Sequence, residues 1–277
     1  MSLRAHLKQV TPGFMKAFYC WSRLALRATV RTFRKVADCY INGMVIHVGV
    51  ASEIEQYRAE HYATKEPEII EWLNQNLRDH DVFFDVGANI GLYSLYAAKL
   101  KATCAVYAFE PESQNFSRLC KNIVLNKLGN IVPCGVALSD QVAFDLFNVY
   151  DLRPGSALHS LGELSGFRLE SDAVVLRQGV ISITLDAMVT KYGLPQPSLL
   201  KIDVDGIEEK ILDGAEVVLK SERLRSIMIE VTFKAKDEGG LTWAERKLTR
   251  LGYQLERKSD WIQEVNGLRC QNYIFCR

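Results

Sequence analysis

The run Phe83-Phe84-Asp85-Val86-Gly87-Ala88-Asn89-Ile90-Gly91-Leu92-Tyr93-Ser94 constrains the chain more than any other stretch. An apolar strand ends in an acid, a glycine loop follows, and a helix begins. Glycines let the backbone turn sharply and approach a ligand closely. The helix start offers free N–H groups and a partial positive charge. The spacing is G-x-x-x-G, neither the G-x-G-x-x-G of dinucleotide sites nor a P-loop, since no Gly-Lys-Ser/Thr follows. That pattern favours a nucleoside-bearing ligand without phosphates. It also predicts that Gly87→Arg abolishes binding while the fold survives.

Strand and helix patterns alternate after this loop. Ala105–Phe109 reads as a strand, Ser113–Leu128 as a helix, and Asn130–Leu138 as a strand. An irregular or β-rich stretch (Phe144–Ile183) precedes a strand over Leu199–Val204 and a helix over Glu208–Lys220. Arg225–Val231 reads as a strand and Trp243–Leu251 as a helix. Tyr253–Arg257 and Asn272–Phe275 close the chain as an antiparallel pair. Such alternation implies an α/β fold with a mostly parallel sheet covered on both faces. Ligands then bind beyond the carboxyl ends of the strands. Glu110 of Phe109-Glu110-Pro111 falls there, nineteen residues after Gly91, where an acid can accept ribose hydroxyls. Asp203 of Lys201-Ile202-Asp203-Val204-Asp205-Gly206 and Glu230 of Ile229-Glu230 fall at the ends of later strands. Asp205 and Glu208 read as caps of the next helix.

The motifs DVGANIG, FEP, VALSD (Val136–Asp140), LKIDVDGIEEKILDGA (Leu200–Ala215) and IMIEV, in this order, resemble the FkbM family of methyltransferases over residues 62–232. The resemblance implies a class I methyltransferase (Rossmann-like) fold with a seven-stranded sheet, order 3-2-1-4-5-7-6, its last strand antiparallel. It implies S-adenosylmethionine as cofactor and methylation of a hydroxyl on a sugar, glycolipid or polyketide-like metabolite. Carried over by motif, Asp85, Gly87, Ala88, Asn89 and Gly91 surround the methionine end and ribose. Glu110, with Pro111, takes the ribose hydroxyls. Val136 and Ala137 line the adenine. Glu66 of Lys65-Glu66-Pro67 closes the pocket, and Asp203 faces the methionine amino group or the acceptor hydroxyl.

Methyl transfer to a hydroxyl calls for positioning and a general base. Asp203 and His159 are the candidates, Asp203 by place and His159 by intrinsic pKa. Asp203, Asp205 and Glu230 could hold Mg2+, but acids at three strand ends do not define octahedral geometry, and no metal is the preferred reading. The competing class is a non-catalytic cofactor-binding or scaffold protein with a methyltransferase fold.

Charge separates the chain into regions. Residues 1–37 carry eight Lys or Arg and no acid, leaving 26 basic against 33 acidic residues in the rest. An acidic body argues against nucleic acid as partner. On a helical projection Lys16, Arg23, Arg27, Arg31 and Arg34 share one face beside Met15, Tyr19, Leu26, Val30 and Phe33. That is the makeup of a helix lying on an anionic membrane, or of one docked on its own domain with a solvated cationic face. An organelle transit peptide has the same composition. Residues 38–80 read as a lead-in hairpin (Cys39–Val50) and helices, and 81–277 as the main body. Seven cysteines, none spaced C-x-x-C, suggest neither a zinc site nor a disulfide framework and fit a reducing, cytoplasmic setting. If the basic segment contacts membrane, the full chain sediments with anionic liposomes and a chain lacking residues 1–37 does not; equal sedimentation would dispose of the idea.

Overall fold

The computed structural model describes residues 35–162, 173–234, 240–260, 263–265 and 268–277. The expected amphipathic helix at the N-terminus lies outside them. Residues 37–277 form one compact unit, so the segment expected as a lead-in belongs to the main body.

The chain begins with the hairpin β1 (Lys35–Ile41) and β2 (Met44–Val50), then α1 (Glu53–Glu60) and α2 (Pro67–Asn76). Asn42 and Gly43 both take positive φ, as a two-residue hairpin turn requires. Next come β3 (Val82–Val86), α3 (Leu92–Leu100), β4 (Ala105–Phe109), α4 (Ser113–Leu125), β5 (Ile131–Cys134) and β6 (Ala137–Leu138). Then follow β7 (Ala143–Val149), β8 (Ser160–Leu161), β9 (Leu176–Ile183), α5 (Leu185–Thr190) and β10 (Leu199–Ile202). The chain finishes with α6 (Glu208–Asp213), α7 (Glu216–Lys220), β11 (Ser226–Lys234), α8 (Trp243–Arg250), β12 (Gln254–Lys258), β13 (Gln263–Val265) and β14 (Leu268–Cys276).

The main sheet runs β5-β4-β3-β10-β11-β14-β12, with β13 beside β14. Numbered by appearance along that path, the order is 3-2-1-4-5-7-6. The first five strands pair in parallel, and β14 runs antiparallel to both β11 and β12. The last strand is therefore inserted into the sheet, whereas β12 lies outside it. β3 is buried along its whole length, as the centre of a doubly covered parallel sheet must be. Phe83 packs with the hairpin and α1–α4, while Phe84 packs on the opposite face with α6–α8.

Two expected elements are broken. The helix expected over 208–220 is split at Gly214, where any Cβ would overlap the carbonyl oxygen of Ser139. The strand expected over 130–138 stops at Cys134, and Ala137–Leu138 joins a second sheet of order β6-β9-β7-β8. That sheet gives form to the stretch read as irregular or β-rich.

The strand registers are level at one edge. Val86 pairs with Phe109 and Ile202, Phe109 with Cys134, and Ile202 with Ile229. Gly87, Glu110, Gly135, Asp203 and Glu230 are thus each the first residue past a matched position. Trp72 anchors α2 beneath this sheet, its Nε1 donating to Ser226 Oγ at 2.8 Å and its ring edge-on to Phe83. Trp72→Ala is expected to cost about 3–5 kcal/mol in urea unfolding.

Candidate active site

The strand ends open into two adjoining clefts. The first is walled by Val86, Phe109, Val136, Ala137, Leu138, Phe147, Val204 and Ile207, with Glu110, Asn115 and His159 among its polar groups. The second is lined by Arg58, His61, Lys65, Glu66, Tyr93, Lys201 and Glu230. Gly87, Asn89, Ala157, Asp203 and Asp205 border both.

The glycine loop is shaped by its neighbours. Gly87 N and Ala88 N both donate to Phe109 O. Gly87 has φ +77°, and a Cβ there would overlap the backbone oxygen of Asp203. The expectation that Gly87→Arg spares the fold is therefore overturned: even alanine would drive the loop from the end of β10. Gly91 has φ +90° and presses on Leu119 of α4. It borders neither cleft. Asp85 is also set back from both clefts, because it lies within β3 and not after it. Its Oδ2 accepts from Ser94 Oγ at 2.6 Å, and its Oδ1 lies 3.5 Å from Lys201 Nζ.

Of the other residues expected at the site, Ala88 and Glu66 border the second cleft, and Pro111, Val136 and Ala137 the first. Glu110 accepts from Asn89 N and Glu112 N, each at 2.8 Å. Burial outweighs these bonds and raises its carboxyl to about 8. Tyr93 Oη donates to Glu66 Oε2 at 2.6 Å. His159 is confined to the first cleft, where its Nε2 lies 3.0 Å from Ser156 Oγ and its ring meets Phe147 edge-on.

Neither Asp205 nor Glu208 caps a helix in the expected way. Asp205 takes φ +64° and reaches across the cleft, its Oδ2 accepting from Leu158 N at 2.7 Å. Glu208 turns back to accept from Val204 N and Gly206 N, and the N-cap position of α6 is Ile207. Burial raises Asp205 to about 6 and Glu208 to about 7. Burial and the neighbouring Asp203 and Glu208 push Glu230 well above the carboxylate range. Asp203 behaves oppositely. Burial would raise it, but the Lys201 ammonium at 3.1 Å, together with Lys65 and Arg58, outweighs burial and lowers it.

Lys201 is the residue sequence reasoning passed over. It is 1% exposed and directly opposite Asp85 in the β3–β10 register. Its signal was present: a charge at a fully buried strand position among Leu199, Leu200 and Ile202. Asn115 was also missed, and nothing local marks it. It holds the segment before β8, accepting from Gly155 N at 2.7 Å and donating to Ser156 O at 3.1 Å. Asn89 Nδ2 donates to the same oxygen at 2.8 Å. Among the described residues, no group of three His, Cys, Asp or Glu is arranged to hold a metal ion. Nor is any helix among them long and apolar enough to cross a membrane.

A doubly covered sheet of this order, with a glycine loop and acids at successive strand ends, places these residues where α/β folds bind ligands. The model of the methyltransferase FkbM domain matches residues 85–264, and the chain belongs to that family of S-adenosylmethionine-dependent methyltransferases. It is 31% identical over 176 residues to the 31-O-demethyl-FK506 methyltransferase FkbM of Streptomyces tacrolimicus, covering 56% of this chain and 66% of that one, just under two thirds of the relative's length. It is 26% identical over 197 residues to the hexuronic acid methyltransferase AglP of Haloferax volcanii, covering 71% of this chain and 75% of that one. Among solved structures, a putative transferase, PH0793 of Pyrococcus horikoshii, superposes with a TM-score of 0.50 at 12% identity over 87% of this chain and 71% of that one, a likeness of fold alone.

The raised acids make a pH prediction. Between its ordinary value near 4.5 and about 8, Glu110 holds in the folded protein a proton that the unfolded chain has lost. Its contribution to stability is thus present at low pH and lost as pH rises through that window. Glu110→Gln is expected to lose less stability than wild type between about pH 5.5 and 8.5, by at least about 1 kcal/mol in urea unfolding. Parallel curves would place the Glu110 carboxyl in the ordinary range.

Proposed function

We propose that the protein methylates a hydroxyl oxygen of a carbohydrate, glycolipid or polyketide-like acceptor, with the nucleoside of S-adenosylmethionine in the first cleft and its methionine end beside the acceptor in the second. The observation that carries this reading is the shared border of the clefts, formed by Gly87, Asn89 and Asp203. The residues present suit the cofactor. An apolar slot of Val136, Ala137, Leu138 and Phe147 fits a purine. Glu110 keeps lone pairs for ribose hydroxyls beyond its two backbone bonds. Glu66 and Asp203 offer negative charge to an ammonium and a sulfonium. The acceptor class rests on the names of the two relatives, one acting on a hexuronic acid and the other on a demethylated form of FK506.

The cofactor supplies an electrophilic methyl group, leaving the protein to bind, orient and move one proton. Asp203 has the better place for that proton. It borders both clefts and is held ionised by Lys201. It therefore accepts a hydrogen bond from the acceptor hydroxyl and takes its proton as the new bond forms. His159 borders the nucleoside cleft alone, where it steadies Ser156 and the wall around Phe147. No step calls for Mg2+.

S-adenosylmethionine or its demethylated product, at about a hundredfold over Kd, is expected to stabilise the native state by about 2.7 kcal/mol. A thermal shift with neither would sink the cofactor reading. In a screen of labelled cofactor against sugars, lipid-linked glycans and small hydroxylated metabolites, Asp203→Asn is expected to lose about a hundredfold or more in turnover. His159→Ala should chiefly raise the KM for cofactor. The reverse pattern would make His159 the base, and binding with no turnover on any pool would favour a non-catalytic role.

A further inference from the structure

The second cleft is polarised. Glu66, Asp203, Asp205 and Glu230 supply carboxyls, while Arg58, His61 and Lys65 supply three basic side chains that border this cleft and not the first. All three come from α1 and the turn that follows it, within eight residues of chain. Arg58 and Lys65 favour the ionised forms of Asp203 and Asp205, but few hydrogen bonds hold the three side chains. Arg58 Nε donates to Gly155 O, and its two terminal amino groups have no hydrogen bond among the described residues. His61 Nδ1 lies 2.9 Å from Tyr57 O, with its ring stacked on Tyr57, and Nε2 is not engaged. Lys65 Nζ lies 3.6 Å from Glu66 Oε1 on a side chain that is 39% exposed.

Charge matching assigns these groups by elimination. A bound S-adenosylmethionine brings two positive centres, which suit the carboxyls, and one carboxylate. A single carboxylate is satisfied by one guanidinium or one ammonium. The basic groups exceed what the cofactor uses, and the remaining ligand of this cleft is the acceptor. We propose that Arg58, His61 and Lys65 form an anion subsite for the methyl acceptor, so that the acceptor is a hydroxylated metabolite carrying a carboxylate or phosphate, such as an acidic sugar. The proposal rests on the division of the clefts between cofactor and acceptor. Arg58 gives the subsite its geometry, because its tie to Gly155 leaves the guanidinium fork pre-organised for a planar or tetrahedral oxyanion. Lys65, more exposed, contributes a screened charge that draws the anion in.

Calorimetric titration of glucuronate, glucose 6-phosphate and glucose tests this, with and without saturating S-adenosylhomocysteine. At least one acidic sugar is expected to bind about 10-fold or more tightly than glucose, and which one does so tells carboxylate from phosphate. The preference should shrink as salt rises. The double variant Arg58→Gln, Lys65→Gln should lose it while its affinity for S-adenosylhomocysteine stays within about threefold. If that variant fails to fold because Arg58 also ties the strap, Lys65→Gln alone should reduce the preference about threefold. Equal binding of the three sugars, or binding of none, would overturn the proposal. So would a variant that keeps the acid preference but loses S-adenosylhomocysteine affinity, since the basic groups would then serve the cofactor carboxylate. A wild-type protein that ignores S-adenosylhomocysteine would strike at the cofactor reading instead, and the acid preference would still be read on the ligand-free protein.

Discussion

One buried ammonium holds the site together. Lys201 Nζ lies 3.5 Å from Asp85 and 3.1 Å from Asp203, all within the central strand pair or just beyond it. Taking a lysine out of water is costly unless opposite charges meet it. Here two carboxylates do, and Tyr93 adds its ring face at 5.4 Å. The arrangement separates the acids by role. Asp203 stays ionised because it faces Lys201. Glu230, Asp205 and Glu208 lack that ammonium and are driven towards their neutral forms by burial. Of these four acids, Asp203 is the one whose charged form the fold favours.

The glycine loop and the strap before β8 depend on the same centre. Gly87 can lie against the end of β10 only because it has no side chain. That contact brings the loop to the Asp203 backbone, and the loop in turn aims Asn89 at Ser156 O. Asn115, Asp205 and Arg58 hold the same strap from three other elements. Residues far apart in the chain thus converge on positions 155–158, where Ala157 borders both clefts. The strap lies between the two clefts without an added domain.

Much of this was legible in the sequence. The alternation of strand and helix, the glycine loop, and acids at Glu110 and Asp203 all follow from local pattern, because a parallel strand must end where its helix begins. The motifs around Asp85, Glu110 and Asp203 were enough to indicate the family. Where expectation failed, the cause was non-local. Gly214 breaks a helix because Ser139 comes close to it, and Asp205 spans a gap where a helix cap was expected. Gly91 and Asp85 belong to the motif, yet one packs on α4 and the other lies behind the loop.

The sequence by itself determined the fold class, the strand ends that carry ligand-binding residues and the family, since these depend on periodicity and spacing within short segments. Only the tertiary structure decided which acids are driven towards their neutral forms, which glycine of the loop borders the clefts, and that His159 lines the first cleft alone. It also brought Arg58, His61 and Lys65 into one cleft with Glu230. The physical reason is that burial and the distance between charges are properties of packed space. Two carboxyls with the same local pattern, Asp203 and Glu230, differ because only one is placed beside a lysine.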